Sequence, residues 1–183
     1  MSHDEMSHDE MSHDEMAHDE MAHDEAWLIR DLASGDAETC DAIVLSLPYH
    51  FGLEQGRADC AVAVRSEPGL VAEQDDTVVG FCTFARHFDG SAEITWLAVH
   101  ADRRGGGVGT RLVEELASRM HAEGRRLLIA LTVSASDGPD DSEGGYGATR
   151  AFYRSAGFVE ARDFAGFWGD DGDTPVLMVR PLP

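Results

Sequence analysis

Thirty-five acidic residues against fourteen basic ones give this 183-residue chain a formal net charge of −21. A surface of that sign repels nucleic acid and anionic membranes and attracts cationic ligands. No run approaches the roughly 18 apolar residues of a membrane span, the acidic N-terminus lacks signal-peptide character, and the three cysteines are spaced as reduced core residues rather than as a disulfide or metal set, so a cytoplasmic protein is expected.

Residues 1–25 are a pentapeptide repeat, Met-Ser-His-Asp-Glu three times and Met-Ala-His-Asp-Glu twice. A period of five builds no apolar stripe on a helix or a strand, so this tail buries nothing and is expected to be disordered. It carries ten acidic residues and no basic one, which leaves −11 on residues 26–183. That length suits one domain around one core. His3, His8, His13, His18 and His23, each beside carboxylates, offer an alternative role as a metal-handling arm. No metal site is expected in the domain itself.

From Ala26 the pattern becomes globular. Trp27 to Arg30 reads as a short strand. Ser34-Gly35-Asp36 opens a helix near Ala37, with Cys40, Val44 and Leu47 on one face and Pro48 as its stop. An aromatic loop, Tyr49-His50-Phe51, leads to a second helix ending near Val64. Leu70 to Glu73 and Thr77 to Phe84, joined by Gln74-Asp75-Asp76, have hairpin spacing. Ala92 to Val99 is the next strand. Val108, Leu112, Val113, Leu116 and Met120 then recur at helical spacing to about Ala122, with Gly124 as terminator. Leu127 to Val133 is the continuous apolar run of a central strand. An acidic, glycine-rich loop over 134–147, a helix around Tyr153, a strand from Phe158 and a last strand over 175–179 complete an α/β order.

Between the strand ending at Val99 and the helix starting at Val108 lies Arg104-Gly105-Gly106-Gly107-Val108-Gly109-Thr110. A glycine-rich turn feeding a helix N-terminus offers free N–H groups and the positive end of the helix dipole, a site for a phosphate or diphosphate. A Walker A loop needs a lysine, and the chain has none. A dinucleotide fingerprint needs Gly-x-Gly-x-x-Gly, and counting from Gly105 the third glycine falls on Thr110. The pattern Arg/Gln-x-x-Gly-x-Gly/Ala fits in full. Here the chain resembles the GNAT superfamily of acyl-CoA-dependent N-acetyltransferases. A second segment, Ala148-Thr149-Arg150-Ala151-Phe152-Tyr153-Arg154-Ser155-Ala156-Gly157-Phe158, resembles the late helix and following strand of that family, in the same order.

The resemblance implies a single-domain α/β fold, a mixed central sheet of about six to seven strands flanked by about four helices. It implies acetyl transfer from acetyl-CoA to an amine by direct attack on the thioester. The amides around Gly105, Gly106, Gly107, Val108, Gly109 and Thr110 are then expected to hold the diphosphate, with Arg104 at the mouth. The backbone of Leu97, Ala98 and Val99 is expected to pair with the pantetheine arm, and the amide of Leu97 or Val99 to polarise the thioester carbonyl. Glu93 stands where the family keeps a general base, with His87 and His50 as alternates, and Tyr153 where it keeps the acid for the leaving thiolate. A base matters because an amine with a pKa near 10.4 leaves roughly one molecule in 2,500 neutral at pH 7. Protonation of a thiolate by a phenol is uphill by only about 2 kcal/mol. The acceptor pocket is expected at Tyr49, His50 and Phe51 and the late loops, whose aromatics and acids suit a small cationic amine. A non-catalytic acyl-CoA-binding module is the rival reading, and a homodimer is left open.

Overall fold

In the computed structural model, residues 27–51, 53–137, 145–169 and 173–183 are described. The N-terminal repeat, and with it the histidine arm, lies outside them. One seven-stranded sheet runs in the order β1-β2-β3-β4-β5-β7-β6. Its strands are β1 (Leu28–Asp31), β2 (Gly69–Gln74), β3 (Thr77–His87), β4 (Ser91–Val99), β5 (Leu127–Val133), β6 (Val159–Asp163) and β7 (Pro175–Pro181). The helices are α1 (Ala37–Leu45), α2 (Glu54–Ser66), α3 (Val108–Ala122) and α4 (Tyr146–Ser155). All neighbouring strands are antiparallel except β4 and β5, which are parallel because α3 carries the chain back between them. This is the mixed α/β architecture expected from the sequence.

Helices cover both faces. Val108, Leu112, Val113, Leu116 and Met120 of α3 join Tyr153 and Ala156 of α4 against Cys82, Phe84, Ala92, Ile94, Leu128 and Ala130 of the sheet. Cys40, Ile43 and Val44 of α1 and Cys60 and Val64 of α2 pack on Val71, Phe81 and Ala98 from the other side. Among the described residues no helix is long and apolar enough to cross a membrane.

Three local details differ from the sequence reading. Helix α1 ends at Leu45, short of Pro48, because the Ser46 hydroxyl donates to Ile43 O at 2.6 Å and diverts a carbonyl from the helix. Leu47 stays in the core as part of the following turn. The β3–β4 hairpin extends to His87 and Ser91, well past Phe84, so residues read as loop become paired strand.

Helix α4 ends in a Schellman motif that explains its sequence. Gly157 (φ +83°) is left-handed, its N–H donates to Arg154 O at 3.0 Å, and the Phe158 N–H donates to Tyr153 O at 3.0 Å. The Phe158 ring packs edge-on against Tyr153 with centroids 5.2 Å apart. The same hydrogen-bond pair closes α3 at Gly124 and Arg125.

The register of β4 carries the feature on which the site depends. Thr83 faces Trp96, but Phe84 faces Ile94, so Thr95 is an extra residue, a β-bulge. The alternation of faces therefore reverses there. Ala92 and Ile94 lie on the α3–α4 side, and so do Leu97 and Val99, while Ala98 and Trp96 lie on the α1–α2 side. Pairing of β4 with β5 stops at the same point: Ile94 matches Ala130, and no pair follows although β5 continues to Val133. The two parallel strands part beyond Ile94.

The N-terminal end of α1 is tied to the sheet by Arg30. Its guanidinium forks onto Asp36 (2.7 and 2.9 Å) and its Nε reaches Glu73 at 2.8 Å, while the Ala33 N–H donates to Asp36 at 2.9 Å. The hydrogen bonds from Arg30, helped by the Ala33 amide and opposed by burial, hold the Asp36 carboxyl below its ordinary pKa. A carboxyl depressed in the folded state stabilises the fold above its unfolded pKa, near 3.9, and loses that contribution as pH falls through the folded value. Glu114 and Glu123, lowered by Arg180 and Arg86, act in the same sense. The urea midpoint should therefore fall on acidification below about pH 4. Asp36→Asn should lower the midpoint at neutral pH and make it fall less steeply over that acid window.

Candidate active site

The glycine loop is a left-handed turn at the head of α3. Gly107 (φ +87°, ψ 0°) is the N-cap residue and Gly105 is also left-handed. A Cβ at Gly107 would meet no atom within 4 Å, so the demand for glycine there is conformational, not spatial. The first intrahelical bond runs from the Arg111 N–H to Gly107 O at 3.0 Å, which leaves the amides of Val108, Gly109 and Thr110 without an acceptor in the helix. Turns of this kind gather N–H groups into an anion-binding nest. Arg104 is exposed at the mouth, and among the described residues neither it nor Arg111 has a carboxylate partner, although the chain is strongly acidic. Such a donor set fits a diphosphate.

Close packing places this nest beside β4 and α4. A Cβ on Gly80 of β3 would lie 3.0 Å from Val108 and 3.2 Å from Val99, so the first turn of α3 sits directly on the end of the hairpin. A Cβ on Gly109 would lie 3.2 Å from the Phe152 ring, so the same turn touches α4. The nest, the free end of β4 and α4 converge where the strands part.

Backbone phase then selects which amides are available. The His100 N–H donates to Val79 O at 2.9 Å, and antiparallel pairs exchange bonds at every second residue. Ala98 and Trp96 therefore bond to β3, while the N–H and C=O groups of Leu97 and Val99 point into the gap toward β5. The sequence reading grouped Leu97, Ala98 and Val99 together. The register gives the open edge to Leu97 and Val99, and turns the polar groups of Ala98 the other way.

Tyr153 lies in the core beneath the gap, 6% exposed, in one cluster with Ile94 and Ala130. Burial pushes its phenol well above the ordinary range, with Cys82 adding to the effect and no hydrogen bond contributing. A phenol kept neutral in this way still carries its proton, but burial makes it a weaker donor than a free phenol.

On the opposite face of β4 lie the acids. Alternation against Ala92 and Ile94 turns Glu93 toward the α1–α2 side, where its Oε2 is 2.6 Å from His87 Nε2. At the bulge, the Thr95 hydroxyl donates to Glu67 at 2.5 Å and lies 2.7 Å from the Thr83 hydroxyl. The aromatic loop closes over this face. Phe51 is buried and stacks with Trp96 at 5.8 Å, so it supports the pocket from the core. Tyr49 and His50 reach α4: the His50 ring is 5.4 Å from Tyr146 and the Thr149 hydroxyl is 3.4 Å from His50 Nε2.

Sequence reasoning missed Trp96, Thr95, Thr83, Glu67 and Arg150, while Tyr146 closes one of the late loops it assigned to the acceptor pocket. Arg150 is 6% exposed and its Nη1 donates to Val133 O at 2.8 Å, tying α4 to the free end of β5. Its position three residues before Tyr153, on the same helical face, was the available signal. The other four become neighbours only through the bulge and the loop.

Cys40, Cys60 and Cys82 are free and buried, and burial pushes each thiol up to about 12. None offers a thiolate for a covalent acyl-enzyme. Among the described residues no grouping of His, Cys, Asp and Glu could hold a metal ion.

Residues 65–160 match the family model described as the acetyltransferase (GNAT) domain. The chain belongs to the GNAT acetyltransferases. It is 34% identical to an IAA acetyltransferase of Azospirillum brasilense over 115 residues, 62% of this chain and 67% of that one. In three dimensions it resembles a structure from Desulfovibrio desulfuricans described as an acetyltransferase of the GNAT family, with a TM-score of 0.74 and 22% identity over 86% of this chain and all of that one. It also resembles a GNAT family acetyltransferase from Elizabethkingia anophelis with acetyl-CoA bound, with a TM-score of 0.64 and 14% identity over 85% and 98% of the two chains. This protein is accordingly an N-acetyltransferase, and acetyl-CoA is its co-substrate.

The burial of the thiols predicts their behaviour. Ellman's reagent should leave the three cysteines of the native enzyme unmodified over minutes and label all of them in guanidinium. Rapid native labelling would reopen a covalent route.

Proposed function

We propose that this enzyme transfers the acetyl group to the primary amine of a small cationic acceptor, by direct attack on the thioester. One observation carries the reading: β4 and β5 part between an amide nest and a neutral phenol on the α3–α4 face and a carboxylate on the α1–α2 face. The nest from Gly105 to Thr110, with Arg104 at its mouth, holds the diphosphate. The open edge at Leu97 and Val99 hydrogen-bonds the pantetheine arm as an added strand would. A β4 amide aimed at the thioester oxygen stabilises the developing oxyanion, a contribution of about 3–4 kcal/mol. Glu93 takes the proton from the acceptor ammonium, and Tyr153 supplies one to the departing thiolate. Enclosed thiols favour this direct route over a ping-pong one.

The acceptor class follows from the pocket wall. Glu93 and Glu67 provide negative charge, and Trp96, Tyr49, His50 and Tyr146 provide aromatic faces, a combination that favours an organic ammonium. In this reading the acidic tail of residues 1–25 is an appendage to a single transferase domain over 26–183. A panel of primary amines, read by release of free CoA thiol, tests the assignment. No turnover of any amine, despite acetyl-CoA binding by calorimetry, would leave a binding module instead.

Two substitutions separate binding from chemistry. Gly107→Ala forces an L-residue into a left-handed conformation at a cost of about 1–2 kcal/mol. The free loop then relaxes out of the nest, and because binding must restore it, calorimetry should show CoA affinity weakened roughly 5- to 30-fold. Tyr153→Phe should lower kcat about 100-fold with little change in CoA affinity. Unchanged turnover would remove Tyr153 from the mechanism.

A further inference from the structure

Acetylation of an ammonium releases a net proton. The acceptor R–NH3⁺ loses two protons on becoming R–NH–CO–CH3, and the leaving thiolate takes up one. The other must reach solvent in every turnover. A neutral amine loses only one proton, which the thiolate consumes, and nothing has to leave. In this protein the group that takes the first proton is only 21% exposed, and a bound acceptor covers it further.

We propose that His87 is the proton exit for Glu93. The inference rests on the reading of Glu93 as base. The carboxylate accepts a proton from the ammonium, and the resulting carboxylic acid donates it across the 2.6 Å contact to His87 Nε2. The imidazolium then gives it to water or buffer, and both side chains return to their starting states. His87 touches no reacting atom and acts through Glu93.

The hairpin builds this path. Ala85 faces Glu93 and His87 faces Ser91, so His87 and Glu93 are diagonal neighbours on one face of the sheet. The Ser91 hydroxyl donates to His87 O at 3.0 Å and holds the strand end. Glu93 precedes Ile94, the last residue paired with β5, while His87 lies toward the hairpin turn. Exposure rises along the same direction, from 21% at Glu93 to 41% at His87. The other charges nearby have separate engagements. Glu67, at the end of α2, accepts from Thr95. Arg125, which follows α3, donates to the carbonyls of Phe88 and Ser91. Asp89 is exposed on the turn.

The test compares 2-phenylethylamine, an ammonium at neutral pH, with aniline, which is neutral there. His87→Ala and His87→Gln should each slow acetylation of phenylethylamine roughly tenfold while leaving aniline within about twofold of wild type. Imidazole added to the buffer should restore His87→Ala toward wild type, which also verifies that the variant is folded. Equal slowing of both amines, or loss without imidazole rescue, would make His87 structural and overturn the proposal. Glu93→Gln separates the two layers. If it slows phenylethylamine while the His87 variants do not, the exit alone fails. If Glu93→Gln leaves phenylethylamine unaffected, the base assignment fails as well.

Discussion

One additional residue in β4 organises this protein. Thr95 has no register partner on β3, so the strand bends and its facing pattern reverses after Ile94. At that same residue β4 leaves β5. Parallel strands within a closed sheet have no free polar edge in their interior. Here the bulge creates one in the middle of a seven-stranded sheet, with the amides of Leu97 and Val99 facing the gap. The helices on either side keep the gap from collapsing: Arg150 of α4 holds the carbonyl of Val133 on β5, and the first turn of α3 packs on Val99 and Phe152.

The bulge also divides the chemistry between two faces. On the α3–α4 face the environment is apolar, and Tyr153 is held neutral by burial. On the α1–α2 face the environment is polar, with the His87–Glu93 pair and the Glu67–Thr95–Thr83 chain. The phenol and the carboxylate thus sit in environments of opposite character on opposite sides of one gap. Burial disfavours the phenolate and so makes the phenol a weaker acid than a free one, whereas the carboxylate keeps a polar partner.

Cysteine placement follows the same logic. All three thiols lie in the two apolar cores, where ionisation is suppressed, and not at the gap. Charge is arranged by pairing in the scaffold, where arginines such as Arg30, Arg86, Arg119 and Arg180 meet carboxylates. Among the described residues Arg104 and Arg111 beside the glycine loop meet none. In a chain so rich in acid, arginines spared from neutralisation stand out as positive charge available to an anionic ligand.

Much of this was legible without coordinates, because it depends on local rules. Helix α3 announces itself by the spacing of Val108, Leu112, Val113, Leu116 and Met120, and the Gly105–Gly109 turn by glycines where backbone must turn left-handed over a helix start. Tyr153 and Phe158 were readable from the resemblance of the 148–158 segment to the family's late helix, and a Schellman closure ties the two together within six residues. The order of strands and helices follows from periodicity for the same reason. Contacts between distant segments were not legible. No local pattern shows that Thr95 is skipped by β3, that Ala98 turns its polar groups away from the gap, or that His87 lies within hydrogen-bonding distance of Glu93. Those depend on strand register, and a shift of one residue exchanges every facing group. Local sequence rules thus set the elements and the glycine turn over the start of α3; where the sheet opens and which side chains meet there came only with the assembled fold, because pairing between strands distant in sequence is governed by packing of both faces at once.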